Sequence, residues 1–403
     1  MSLSHGRHYL AIPGPSVIPD RVLQAMHQAA PNIYEGALHE MVEGMIPDLN
    51  RVARSSGEVA IYIANGHGTW EAALTNILSR GDRVLALATG RFVVFWASMA
   101  ERLGVEVDLV DFGKSAPVDL DQVEAKLKAD SNRRYKAILV VQTDTASSVR
   151  NDLAALGECI RSSGHPALYL VDAMASLACE PFEMDSWGVD LMVAGSQKGL
   201  MTPPGLGFMF FNRRVLEARK KADLVTPYWD LRPRIHPEVF YHYFFGTAPT
   251  HHLFGLREAL TMLLEEEGLE AAWDRHAKLS RAVWAAFDAW SGQLHSSQYQ
   301  RPKRPFPLGH CGFHGCPACH RTETLDRKKV RGDPGHRAGH GGTFRPRLPW
   351  FLPRRPYGAR ECAYDLGHAR GDRRRSESAE HPPWRGGHRS REPCRQRSVV
   401  ENR

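Results

Sequence analysis

From about residue 59 onward, short apolar runs alternate with longer amphipathic stretches. The runs are Val59–Ile63, Val84–Leu87, Val105–Val110, Ala137–Val141, Leu168–Val171, Leu191–Val193 and Gly207–Phe211. Apolar runs this short, without polar alternation, mark strands buried on both faces. Between and after them, helical periodicity appears at Thr69–Leu78, Trp96–Leu103, Leu120–Ala129, Leu153–Ser162 and Arg213–Lys221. Asp119 and Asn151 are placed to cap two of these helices. Strand–helix alternation predicts an α/β fold: a large domain with a mostly parallel seven-stranded sheet covered by helices. Helical patterning returns at Leu253–Glu267 and Ala271–Trp290, the second expected to leave the large domain as a long helix.

The pattern stops after Trp290. Residues 293–403 hold 21 Arg, 12 Pro and 9 His but only 13 Leu, Val and Phe together, too few to offset the entropy of ordering. The repeated prolines of FRPRLPWFLPRRP (344–356) exclude a regular helix. Charge divides at the same place. Residues 293–403 carry 24 Lys and Arg against 10 Asp and Glu, which leaves 28 against 35 for an acidic body. Three readings fit the tail: a disordered basic segment, a nucleic-acid-binding segment, or an out-of-frame translation of a GC-rich gene. The expected organisation is an N-terminal arm (1–20), a large domain (21–250), linking helices (251–292) and the basic tail (293–403).

Cysteine follows the same division. Only Cys159 and Cys179 lie in the body, a sparseness that predicts a reducing compartment and no disulfide framework. No run of about 18 apolar residues predicts a membrane span, and the opening MSLSHGRHYLAIPGP lacks a signal-peptide pattern, so a cytoplasmic protein is expected. In the tail, Cys316-Pro317-Ala318-Cys319-His320 has the spacing of a haem attachment site, and with Cys311 that of a zinc set. A Cys- and His-rich stretch produces such spacings by chance, and no metal is expected. Arg373-Arg374-Arg375 reads as a solvated charge run rather than a nucleic-acid site.

The body carries three candidate elements of chemistry. Lys198 follows an apolar strand in LMVAGSQKGLMTPPGLG, delivered into a Gly- and Pro-rich turn. A fixed backbone and partial desolvation lower a lysine's pKa, as a nucleophilic amine requires. Read alone, it could be an ordinary exposed loop lysine. Asp172 ends the strand Leu168–Val171, facing the ligand crevice of an α/β sheet. It could pair with the protonated ring nitrogen of pyridoxal phosphate, or simply cap a helix. Asn65-Gly66-His67-Gly68-Thr69 links a strand to a helix, where glycines and free N–H groups suit a phosphate.

Taken in order, the phosphate loop, the aspartate and the lysine resemble the class V aminotransferases of pyridoxal-phosphate fold type I, and especially the alanine/serine–glyoxylate aminotransferases. The resemblance covers residues 8–290. It implies a small C-terminal domain, pyridoxal 5′-phosphate as cofactor, Lys198 as the lysine that carries it and Asp172 as partner of its pyridinium. It further implies that Pro13-Gly14-Pro15 crosses the mouth of the site and that Asn65, Gly66 and His67 bind the phosphate. Phe92 would stack on the ring, Thr145 would stand near the phenolic oxygen and Gln197 would touch the phosphate side. Thr247, with either Tyr241 or Tyr243, would reach the phosphate of a partner subunit, which implies a homodimer. Expected substrates are small amino acids such as serine or alanine, with glyoxylate or pyruvate as the 2-oxo acid acceptor.

Gln197 stands where cysteine desulfurases of the same class usually have His, so aminotransfer is favoured. Two departures remain. Val93-Val94-Phe95 is bulkier than the small or polar residues expected after Phe92, and nothing after Trp290 matches the strand whose arginine clamps the substrate carboxylate. The rival readings are therefore an impaired cofactor-binding product, or another class V reaction such as ureidoglycine–glyoxylate transamination. Limited proteolysis should trim the chain back toward Trp290, because arginine-rich segments without a core are easily cut. A protease-resistant tail combined with ordinary transaminase rates would overturn that expectation.

Overall fold

All seven apolar runs pair into one sheet in the computed structural model, which describes residues 10–291. The strands are β1 (Glu58–Ala64), β2 (Arg83–Ala88), β3 (Glu106–Asp111), β4 (Tyr135–Val141), β5 (Leu168–Asp172), β6 (Leu191–Gly195) and β7 (Gly205–Phe211), in the spatial order β1-β7-β6-β5-β4-β2-β3. Strands β2 to β6 are mutually parallel, as expected of a mostly parallel sheet. β7 runs antiparallel to both β6 and β1. The reason is reach: residues 196–204 are fewer than the dozen or so that a parallel crossover needs.

Side chains along each strand alternate between two cores. Val59, Ile61, Leu85, Ile138, Val171 and Phe208 face one; Ala60, Tyr62, Val84, Leu139, Leu170 and Phe211 face the other. The first core is closed by α2 (Ala37–Ala53), α5 (Leu120–Ala129), α6 (Leu153–Ser162) and α9 (Thr250–Thr261). The second is closed by α3 (Gly66–Ile77) and α4 (Phe92–Arg102), with α7 (Arg213–Arg219) alongside. The edge strand β3 carries Glu106 and Asp108, paired with Arg134 and Lys126, which discourages pairing with another chain.

Several boundaries differ from the periodicity reading. It does not assign α1 (Asp20–Met26) or α2, whose interior Pro47 breaks the usual helix signal. α3 begins at Gly66 rather than Thr69, because glycines in its first turn conceal it. α4 begins at Phe92 rather than Trp96, where Val93-Val94-Phe95 resembles a strand. Asp152, not Asn151, caps α6. Asn151 is buried instead, bonded to Thr89 Oγ1 and the Val141 carbonyl. The helix expected over Leu253–Glu267 starts at Thr250 and passes into a π-helical turn, Met262–Glu267, ended by Gly268 at φ 84°. α10 then runs Leu269–Ser291 after α8 (Arg232–Ile235) and α9 earlier in the chain. The expectations for residues 293–403 lie outside the described residues.

Arg234 fastens the segment before α9 to the sheet. Its side chain is fully buried, and its guanidinium donates to the carbonyls of Ile61, Tyr243 and Tyr228 while lying 4.3 Å from the Tyr62 ring centroid. Burial pulls its pKa below the usual arginine range. Arg234→Ala should destabilise the fold by about 2–4 kcal/mol, through a cavity and three carbonyls left unbonded. Arg234→Lys should not restore stability, since an ammonium cannot span the same three acceptors. Urea unfolding of the three proteins measures both effects.

Candidate active site

The C-terminal ends of β1, β4, β5 and β6 converge on one cavity of about 280 Å³, close to the lower limit of small-molecule sites. From β1, the chain enters α3 through Asn65. Its side-chain oxygen accepts the N–H groups of His67 (3.1 Å) and Gly68 (3.3 Å) and fixes the helix start. Asn65, Gly66 and His67 all line the cavity. A Cβ at Gly66 would come within 2.7 Å of Met174 Cε, so a larger residue there would displace the end of the Met174 side chain.

Asp172 is the last residue of β5 and only 2% exposed. Trp70 Nε1 donates to its Oδ2 at 2.9 Å and Met174 N to its Oδ1 at 2.6 Å. The second bond is the local turn bond a capping aspartate would make, but here it closes a turn and no helix follows. Burial pushes the Asp172 carboxyl up to about 6 against the pull of these donors; nearby Asp144 raises it further and Lys198 lowers it.

Lys198 sits in the turn after β6, half-buried, and burial draws its ammonium below the usual lysine range. Its Nζ donates to the Pro13 carbonyl, while Ser16 donates its N–H to the Gln197 carbonyl (2.8 Å) and its hydroxyl to that of Lys198 (3.0 Å). Pro13-Gly14-Pro15 therefore does lie over the lysine. Gly14 has φ 134°, and a Cβ there would overlap Lys198 Nζ. This position needs glycine for its backbone and for the space.

Phe92 and Thr145 complete the walls and are coupled by a residue the sequence reading missed. Asp144, fully buried, accepts the N–H of Phe92 at the start of α4 and that of Ala146 in its own turn, both at 2.9 Å. A Cβ at Gly90 would overlap its carboxylate. Trp70 was also missed as a site residue; its signal was one aromatic in the helix that opens the glycine loop. Gln197 lines the cavity with spare bonding capacity: its Nε2 makes one long contact to Met174 Sδ (3.9 Å) and its Oε1 is buried without a partner.

The structure thus gathers Asn65, Gly66, His67, Phe92, Thr145, Asp172, Gln197 and Lys198 around one cavity. It does not bring Tyr241, Tyr243 or Thr247 to that cavity within the chain. Tyr241 is 51% exposed and Thr247 is exposed, whereas the Tyr243 ring packs on Phe240 at 5.9 Å. The cavity fits a phosphorylated pyridine aldehyde. It offers a helix N-terminus for the phosphate, a buried carboxylate for a ring cation, an aromatic wall and an amine of lowered pKa.

Comparison with known proteins places this geometry among relatives. The family model described as class-V aminotransferase matches residues 8–340, running past Trp290, where the sequence reading ended its resemblance. The serine–glyoxylate aminotransferase of Methylorubrum extorquens is 38% identical over 293 residues, 71% of this chain and 72% of that protein. The solved alanine–glyoxylate aminotransferase of Nostoc superposes with a TM-score of 0.66 at 26% identity, over 76% of this chain and 82% of that one. The ureidoglycine–glyoxylate aminotransferase of Bacillus subtilis does so with a TM-score of 0.65 at 25% identity, over 71% and 74%. No helix among the described residues is long and apolar enough to cross a membrane.

Asp172 makes the stability of the ligand-free protein fall with pH. Its folded pKa, about 6, lies above the 3.8 of a solvated aspartate side chain. Below the lower value the carboxyl is protonated in both states and costs nothing; the penalty grows as pH rises between the two values and is complete above the higher one. Its full size is at most about 3 kcal/mol. Urea unfolding of ligand-free wild type and Asp172→Ala at both ends of this window should show the steeper fall for wild type. Equal slopes would mean that Asp172 is solvated rather than buried.

Proposed function

Since the chain belongs to the class-V aminotransferase family, we propose that it uses pyridoxal 5′-phosphate to move an amino group from a small amino acid, serine or alanine, to glyoxylate or pyruvate. One observation carries this reading: Lys198 and Asp172 line the same cavity, whose rim is the N-terminus of α3. When bound there, the cofactor supplies an electron-withdrawing ring conjugated with the substrate's Cα.

The chain's own residues do the rest. The glycine loop and Gln197 hold the phosphate end. Phe92 and the wall opposite it exclude water from the ring faces. Asp172 presents an anion to the ring nitrogen, and a cation there offsets the burial that raises its pKa. Lys198 anchors the cofactor and then takes a proton from the substrate's Cα as a general base. Its lowered pKa leaves more of the amine neutral for that step. Thr145 lines the same cavity, available for a hydrogen bond to the ring's phenolic oxygen.

Tyr241 and Thr247 are exposed and do not line their own cavity, which supports the reading that they serve a partner subunit's phosphate in a homodimer. Tyr241 is the better candidate of the two tyrosines, since the Tyr243 ring is held against Phe240. The alanine–, serine– and ureidoglycine–glyoxylate enzymes among the relatives make a donor panel against glyoxylate the natural assay.

Borohydride reduction of the purified protein should fix the cofactor on Lys198, read by peptide mass spectrometry. Label on another lysine, or a well-folded protein that takes up no pyridoxal phosphate, would overturn the reading. Lys198→Ala should abolish turnover while retaining some cofactor noncovalently. Asp172→Ala should fold and lose turnover by several orders of magnitude; a loss of only about tenfold, roughly 1.4 kcal/mol on the barrier, would return Asp172 to a structural role. Gly14→Ala should slow turnover on the order of tenfold or more by displacing the Lys198 amine, and should lower the thermal unfolding temperature through strain at its positive φ.

A further inference from the structure

We propose that Trp70 is the positioning residue for Asp172: its indole N–H fixes one carboxylate oxygen, so that the remaining lone pairs are presented to the cavity in a single orientation. This rests on the reading that the cavity takes pyridoxal phosphate, and it adds a residue that the reading does not use.

Three observations carry the assignment. The first is the bond itself, Trp70 Nε1 to Asp172 Oδ2 at 2.9 Å between two buried side chains. An indole N–H can donate and cannot accept, and the same is true of the Met174 amide on Oδ1. Both partners therefore stabilise the ionised carboxylate, and neither can take up a proton from it. A proton on Asp172 would have to take one of the lone pairs that these donors leave, as would a bond to a ring cation.

The second observation is the rigidity of the donor. The Trp70 ring is stacked on Trp96 (centroids 6.0 Å, interplanar 16°) and meets His67 edge-on at 4.6 Å and Phe92 at 6.3 Å. A hydroxyl or a water in this place would rotate. The indole cannot, because its plane is clamped between α3 and α4. His67 and Phe92 themselves line the cavity, so one ring sets the position of the carboxylate and touches two further walls.

The third is the charge around Asp172. Lys198 favours its ionised form and Asp144 opposes it, while His67 lines the same cavity from α3. With burial acting against ionisation, the indole bond is one of two direct hydrogen bonds among the described residues that favour the charged form. Its loss should raise the pH at which the carboxylate can accept a ring cation.

The test measures the affinity of the cofactor-free protein for pyridoxal phosphate by equilibrium dialysis as a function of pH, in wild type and Trp70→Phe. Titration of the free cofactor is common to both proteins and cancels in the comparison. Affinity should weaken on the acid side in each, with the midpoint in Trp70→Phe displaced upward by about one pH unit. The phenyl ring keeps the stacking on Trp96 and loses the donor. Should Trp70→Phe not fold, Trp70→benzothienylalanine, incorporated at that one position, keeps the shape of indole and removes only the N–H. A superimposable acid midpoint in a folded variant would overturn the assignment and leave Trp70 as packing. Failure of wild type to bind pyridoxal phosphate at any pH would instead overturn the cofactor reading.

Discussion

A carboxylate buried at the end of the central strand governs the architecture of this site. β5 has three strands on each side of it, so Asp172 cannot reach bulk water past an edge. Among the described residues, two hydrogen bonds hold its carboxylate, and burial outweighs them and pushes its pKa up. The remaining deficit is what a ring cation would remove. On the proposed function, burial that is unfavourable without a ligand would become selectivity for a cationic heterocycle.

The rest of the site is arranged around this constraint by segments far apart in the chain. The arm at 13–16 is tied to the backbone of Gln197 and Lys198 and keeps the lysine side chain over the cavity. The loop before α4 and the turn after β4 are joined through Asp144, which accepts from both. A second buried carboxylate is thereby held by backbone donors, although burial still keeps its pKa above the usual carboxylate range. Asp144 therefore serves as a structural clamp, while Asp172 keeps lone pairs for a ligand. Of these two buried acids, only Asp172 lines the cavity.

Much of this was legible in the sequence. Seven apolar runs of strand length could only be a sheet buried on both faces, and all seven pair in one sheet. Gly66, Asp172 and Lys198 were identifiable because each stands at a strand end, where an α/β sheet exposes its chemistry. Gly14 was part of a Gly/Pro motif whose use became clear only when a Cβ there was seen to overlap Lys198. The reversed direction of β7 follows from the shortness of the 196–204 connection, although the apolar run itself carries no sign of it.

What the tertiary structure decided are the meetings across the chain. Trp70 and Asp172 are 102 positions apart, and Phe92 and Asp144 are 52. Periodicity reports which face of an element is buried, because that depends on neighbours three or four positions away in a helix and two in a strand. It does not report which strands lie side by side. Trp70 therefore reads in the sequence as one more apolar residue on the buried face of α3, and Asp144 as one polar residue in a loop. Only the order β1-β7-β6-β5-β4-β2-β3 sets the start of α3 against the end of β5, and the start of α4 against the turn after β4. Local chemistry was written along the chain; the pairing of a donor with its acceptor depended on strand order, which no local pattern encodes.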